Sequence, residues 1–329
     1  MANLSNDDAQ LVPRTVSAGR ALEFDFPALL VGVAEYDEGP TGCTVFYFPD
    51  GAAAAADIRG GSAGTILTQQ LLAGDGAVDA ICLAGGSIYG LEAATGVAAE
   101  LFAQHEYSTN WRDIALVAGA IIFDYGQRAN ANAIYPDKAL GRAALRAARS
   151  GWFPLGAHGA GCSATVGNGF DYDRGEPSGQ GGAFRQVGPT KVAVFTVVNA
   201  LGAIVDRQGR VVRGHLDPAT GARDHLAADL ERRLAGAGGT ALPFGNTTLT
   251  VVATNQRLGA RSLRQLARQV HGSLARAIQP FHLLEDGDTL YALTTNEVDN
   301  PVLGDTALGV IASELAWDAV LSSVPDGAA

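Results

Sequence analysis

The sequence predicts a layered α/β fold, with sheets packed together and helices outside. Three observations carry this. Hydrophobic residues fill 47% of the 329 positions, enough for one large core. Apolar, β-branched runs interleave with stretches of 3/4 apolar spacing. The C-terminal part reads strand, helix, strand, helix, and such elements bury their apolar faces by stacking in layers.

The elements follow in order. Residues 1–15 are polar and read as a flexible segment or an oligomer arm. Residues 31–36 and 43–48 form two strands joined by a turn at Asp37-Glu38-Gly39-Pro40. Residues 80–83 make a short buried strand that runs through Gly85-Gly86-Ser87 into a helix near 89–104. Residues 115–123 are another apolar strand. Residues 137–149 are a helix, with Pro136-Asp137 suiting its first turn, and Arg142, Arg146 and Arg149 read as one solvated face. Residues 156–190 are rich in Gly and polar side chains, and read as a long irregular segment of the functional kind. Residues 191–199 (KVAVFTVVN) are a strand that continues at 203–206 past a kink at Gly202. A turn and loop at 208–223 precede a short helix at 223–234. Residues 236–244 have linker character. Residues 247–254 (TTLTVVAT) are a β-branched strand, 261–275 a helix, 288–295 a strand and 308–321 the last helix.

Composition excludes several classes of function. The net charge is −11 and the only lysines are Lys138 and Lys191. An acidic chain without a basic stripe is not a nucleic-acid binder. No apolar run reaches the roughly 20 residues of a membrane helix. The opening MANLSNDDAQ lacks a basic stretch followed by an apolar core, so a cytoplasmic protein is expected. Cys43, Cys82 and Cys162 are few and far apart, with no CxxC pair, so reduced and mostly buried thiols are expected. Cys162, after a Gly-Ala-Gly turn, is a minor candidate for reactivity. The six histidines are scattered without HExxH and read as surface or satisfied core residues; neither a metal nor an organic cofactor is expected.

Gly245-Asn246-Thr247-Thr248 is the strongest local feature. A flexible linker meets a strand whose first residue carries a hydroxyl. That hydroxyl is a poor nucleophile at neutral pH and needs a base. An α-amino group, of pKa about 8, suits the task and sits on the same residue once the Asn246–Thr247 bond is cut. Read alone, the motif is also an ordinary capped turn. Asp286-Gly287-Asp288, at a strand start, sends two carboxylates toward one pocket, where they would tune such an amine; a hairpin turn or a metal site with His282 are the rival readings. Asn199, ending its strand, offers an amide to an oxyanion, a contribution of about 2.7–4 kcal/mol when present. Tyr125 offers a hydroxyl. Gly85-Gly86-Ser87 lacks both the P-loop lysine and the second glycine of a hydrolase elbow, and reads as a helix–sheet packing turn.

Six ordered segments extend this picture: FDFPALLVGVAEYDEGPTGCTV, AICLAGGSIYGLEAATGV, YPDKALGRAAL, SGQGGAF, GNTTLTVVATN and IQPFHLLEDGDTLYALTTNE. From about residue 16 to 323 the chain resembles the nylon-oligomer hydrolases (6-aminohexanoate-oligomer endohydrolases), within the D-aminopeptidase and β-peptidyl aminopeptidase family of N-terminal nucleophile hydrolases. The resemblance implies an α-β-β-α four-layer sandwich. It implies self-cleavage into two associated chains, a large 16–246 subunit behind the leading segment and a small 247–329 subunit. It further implies self-association of these heterodimers into a homo-oligomer, a tetramer of heterodimers. By position it makes Thr247 the nucleophile and Asn199 a pocket amide near the oxyanion. Asp286 and Asp288 become the groups that orient amine and hydroxyl, and Tyr125 a pocket residue. Where those hydrolases carry a lysine, this chain has Asn168 after Gly167. Either Asn168 replaces it as a neutral hydrogen-bonding group, or one extra residue shifts the alignment in this loop.

The expected activity is hydrolysis of linear amides such as 6-aminohexanoate oligomers through an acyl-enzyme on Thr247. An aminopeptidase on short peptides, including β- or D-residues, and a processing-only or acyltransferase-like relative are the alternatives.

Overall fold

The computed structural model describes residues 4–126, 132–236, 239 and 245–325. Eight long strands organise it: β1 Leu30–Tyr36, β2 Thr41–Ile58, β3 Gly76–Ala84, β4 Val117–Ile121, β5 Gln180–Val187, β6 Thr190–Asn199, β7 Thr247–Gln256 and β8 Thr289–Val298. Five helices accompany them: α1 Glu92–Gln104, α2 Lys138–Arg146, α3 Leu226–Ala235, α4 Ala260–Ser273 and α5 Asp305–Ser322. Among the described residues, eleven strands join in one hydrogen-bonded sheet, whose main path runs β5-β6-β7-β8-β2-β3-β4.

β2 makes this possible. Its first half pairs with β1 on one side and β3 on the other, and its second half pairs with β8. The register against β3 breaks between Tyr47 and Ala52, around Gly51 at φ +72°. Such an irregularity bends a strand, and the 18-residue strand passes from one half of the sheet to the other. Sequence reading ended this strand near residue 48, because the Pro-Asp-Gly at 49–51 breaks the apolar pattern.

The period-2 alternation of side chains sorts the core into three clusters. Ala193, Phe195 and Val197 of β6, Leu249, Val251 and Ala253 of β7, and Ile81 and Leu83 of β3 meet in a central cluster. The intervening Val192, Val194, Val252, Leu290 and Ala292 pack against Leu263, Leu266, Ala312 and Leu315 of α4 and α5. On the opposite side Val45, Ala80 and Cys82 pack against Val97, Leu101, Leu140 and Ala144 of α1 and α2. The order is helices, sheet, sheet, helices. Phe195 anchors the central layer, with ring centroids 5.1 Å from Phe46 and 4.8 Å from Phe153. Burying each such ring stabilises by about 1.5–3 kcal/mol.

Several expectations are corrected. The stretch 180–187, read as irregular, is strand β5: its small residues leave room for α5, and a Cβ on Gly181 would stand 1.9 Å from Ala319 O. Ala203–Val205 does not extend β6; it belongs to a separate three-stranded sheet with Val211–Arg213 and Ile278–Gln279. Asp137 caps α2 from outside, accepting from Leu140 N–H at 2.9 Å. Arg142 and Arg146 clasp the buried Glu100, whereas Arg149 lies in a two-residue strand and stacks on Trp152. The leading segment is docked: Asn6 donates to Tyr135 O, and Arg14–Thr15 pairs with β1. The linker stretch 236–244 falls, apart from Gly236 and Gly239, outside the described residues. No helix among the described residues is long and apolar enough to cross a membrane.

Candidate active site

The site exists because β7 and β8 run parallel. Leu249 pairs with Thr289, so the residues before each strand reach the same end of the sheet. Asn246 bridges directly to Asp286. On the other side β6 is antiparallel to β7, and its last residue, Asn199, stands opposite Thr247. Three segments far apart in sequence thus deliver Thr247, Asn199 and Asp286–Asp288 to one place.

Thr247 is buried. Its hydroxyl donates to the Asn246 carbonyl at 2.5 Å. The same carbonyl accepts the Gly287 N–H at 2.8 Å. The bond ahead of Thr247 is therefore polarised by a backbone donor, with the hydroxyl against it. Gly245, at φ +75°, turns the chain into this position, where a Cβ would stand 2.2 Å from the Phe123 ring. Only glycine occupies that turn without strain.

Both carboxylates are fully buried. Asp288 is bonded at both oxygens: Oδ1 accepts Thr248 N–H at 2.8 Å, and Oδ2 accepts His282 N–H at 3.2 Å with His282 Nδ1 at 3.0 Å. Asp286 accepts from Leu283 N–H at 3.1 Å through Oδ2, while Oδ1 meets no hydrogen-bond criterion among the described residues, with the Leu201 backbone as a further neighbour of the carboxyl. Burial, and then the charge of Asp288, push Asp286 up to about 8. The shift favours the protonated form of Asp286. Two buried carboxyls side by side cannot both ionise cheaply without a cation.

Asn199 is fully buried; its Nδ2 donates to Phe123 O at 3.0 Å and its Oδ1 accepts Thr165 N–H at 3.0 Å. Asn168 joins one link further out, donating to Thr165 Oγ1 at 3.2 Å. Tyr125 lies beyond Phe123, and its hydroxyl donates to Ala133 O at 3.0 Å. Ser87 Oγ accepts the N–H groups of Asp124 and Tyr125, a packing role. Cys162 is set against reactivity: burial and the nearby Glu35 push its thiol well up.

A cleft of about 550 Å³ opens at the Gly245–Asn246 turn. Ile121, Phe123 and Leu284 make it apolar, with Ser62 and Glu285 as its polar members. The shape and lining suit an aliphatic chain.

Sequence reading missed the Gly287 N–H, which it took as part of a turn, and weighed His282 only as a metal ligand. It gave no sign of His271 and Asp57, which stand behind His282 and lie 214 positions apart. Among the described residues no group of three or more His, Cys, Asp or Glu side chains is arranged to hold a metal ion.

Comparison with known proteins follows the same line. Residues 24–326 match Peptidase family S58. The chain is 46% identical over 328 residues to the 6-aminohexanoate-oligomer endohydrolase of Agromyces sp. (strain KY5R), covering 97% of this chain and 90% of that protein. It is 46% identical over 323 residues to the enzyme of the same description from Kocuria sp. (strain KY2), covering 95% and 88%. Among solved structures, the L-aminopeptidase D-Ala-esterase/amidase of Ochrobactrum anthropi superposes with TM-score 0.64 at 16% identity, over 94% of this chain and 88% of that one. That protein is a variant of the Ntn hydrolase fold, and the likeness at that identity is one of fold.

Proposed function

Given that the chain belongs to peptidase family S58, we propose that it is a self-processing amide hydrolase acting on linear amides such as 6-aminohexanoate oligomers. The observation that carries this is the pair of contacts on the Asn246 carbonyl, the Thr247 hydroxyl at 2.5 Å and the Gly287 N–H at 2.8 Å.

In the first stage the Thr247 oxygen adds to the Asn246 carbonyl carbon, and the oxyanion forms against Gly287 N–H. The C–N bond breaks, leaving an ester on Oγ1 and a free amine on Thr247. Water hydrolyses the ester and releases Asn246 as a carboxylate. The chains 1–246 and 247–329 remain associated, because β7 keeps its pairing with β6 and β8 its pairing with β2 across the cut. Such heterodimers assemble into a homo-oligomer, a tetramer in this reading.

In the second stage the new amine takes the hydroxyl proton, and Oγ1 attacks the substrate amide. Asn199, with its second N–H, and backbone N–H groups hold the oxyanion. The amine product leaves and water frees the acid. Asp288 orients the start of β7 through Thr248 N–H, and Asp286 faces the new ammonium. Asn168 acts as a neutral pocket member through Thr165, and Tyr125 supports the pocket wall. The apolar cleft takes the methylene chain. Incubating wild-type protein with a 6-aminohexanoate oligomer and measuring new amine ends tests the reading; no release beyond that of an inactive variant contradicts it. The carboxylate of Glu285 in the cleft favours, as a second reading, an aminopeptidase that grips a free amine end. Capped oligomers that resist cleavage while free-amine oligomers are cut would select it.

The protonated Asp286 makes a further prediction. Its folded value, about 8, lies above its ordinary 3.8. Between these the uncut folded chain keeps a proton that the unfolded chain has lost, so its stability declines as pH rises through that window. Asp286→Asn, in a chain kept uncut by Thr247→Ala, is expected to melt with less pH dependence and to gain most at about pH 8. Thermal melts near pH 5 and pH 8 check this; an equal gain at both would contradict it.

A further inference from the structure

We infer that His282 is a positioning residue, which fixes the Asp288 carboxylate and through it the start of β7 at Thr247. The inference rests on the reading of Thr247 given above. A carboxylate held at one oxygen can pivot about its last torsion, whereas one held at both cannot. Asp288 is held at one oxygen by Thr248 N–H and at the other by His282, whose backbone N–H and Nδ1 converge on it. Because a carboxylate only accepts, Nδ1 of His282 carries the proton.

His282 is in turn held from behind. Its φ is +63°, in the left-handed region that few residues other than glycine occupy. Its ring packs on Phe281, with centroids 4.0 Å apart, and meets the edge of His271 at 4.5 Å and 84°. His271, buried on α4, points Nδ1 at Asp57 at 2.9 Å, and Asp57 on β2 takes Arg59 at 2.6 Å. Burial lowers the pKa of His271 despite Asp57, which favours an uncharged His271 ring in this packing. The groups facing His282 are thus Asp288 from the β8 start and His271 from α4, with Asp57 and Arg59 beyond. A connected path leads from the exposed Arg59 through Asp57, His271, His282 and Asp288 to Thr248. It joins β2 and α4 to the nucleophile, and the reaction described above uses no group behind Asp288.

Two variants of the full chain separate side chain from backbone. Asparagine tolerates positive φ and offers an N–H near the place of Nδ1; glycine tolerates positive φ and offers none. His282→Gly is expected to lower kcat by about 10–100-fold with KM within about twofold, since slight misplacement of reacting groups is costly. His282→Asn is expected to recover kcat to within about threefold of wild type. Equal kcat in the two variants, whether near wild type or equally reduced, would overturn the inference. If the glycine variant melts before assay temperature, His282→Ala supplies the donor-free comparison. Wild type run alongside keeps the two readings apart. An uncut yet active wild type contradicts the role of Thr247, whereas a cut, active wild type with indistinguishable variants contradicts only that of His282.

Discussion

Thr247→Ala is expected to accumulate as a single 33.8 kDa chain whose amidase turnover falls at least about 10⁴-fold below that of wild type. The substitution removes one oxygen that serves twice. Without it no acyl shift onto Thr247 occurs, so the Asn246–Thr247 bond stays closed. Without that break the α-nitrogen stays an amide, which cannot accept the hydroxyl proton of any neighbouring group. The fold should survive: among the described residues the lost hydroxyl bonds only the adjacent carbonyl, and the small cavity left costs on the order of 1 kcal/mol. Thr247→Ser, which keeps the oxygen, should still be cut. Gel analysis and an amine-release assay on the three proteins check this; a cut or active alanine variant would contradict it.

Gly287→Ala has the second largest expected effect. The backbone of Gly287 lies outside the left-handed region, so alanine is excluded by space alone. Its Cβ would stand 2.5 Å from Thr247 Oγ1 and 3.0 Å from Ser62 O. Either the hydroxyl moves off the Asn246 carbonyl, or the loop moves and withdraws the N–H that polarises it. Loss of one oxyanion donor slows acyl transfer by about 10²–10³-fold. Self-cleavage should slow by at least that factor, and uncut chain should persist after purification. A time course of cleavage during refolding measures it, and cleavage as fast as wild type would contradict the role of this N–H.

What was legible in the sequence divides along local and distant lines. TTLTVVAT reads as a strand from its β-branched residues, and the helices at 260–273 and 305–322 read from their spacing within a few residues. The turn at Gly245-Asn246 and the carboxylates at Asp286 and Asp288 are local too, so the candidate residues could be named before their neighbours were known. What joins them is not local. The parallel pairing of β7 with β8, which brings Gly287 N–H to the Asn246 carbonyl, spans some forty residues and leaves no mark in either strand. The length of β2 was hidden by its own Pro-Asp-Gly, since the bend that lets it serve two sheet halves looks like a turn. β5 was hidden by glycines that admit α5 against the sheet. The Asp57–His271–His282 support comes from three elements whose residues, taken singly, are an ordinary aspartate and two scattered histidines. The resemblance to the nylon-oligomer hydrolases supplied the four-layer order that periodicity alone left as layered sheets with outer helices.

The account depends on a Thr247 whose nitrogen is free. Intact-mass measurement of the purified wild-type protein, with N-terminal sequencing of each chain, tests it most directly. The account predicts two chains in equal amount, about 25 and about 9 kDa by share of length, the smaller beginning Thr-Thr-Leu. One uncut chain of 33.8 kDa that still hydrolyses amides would contradict it.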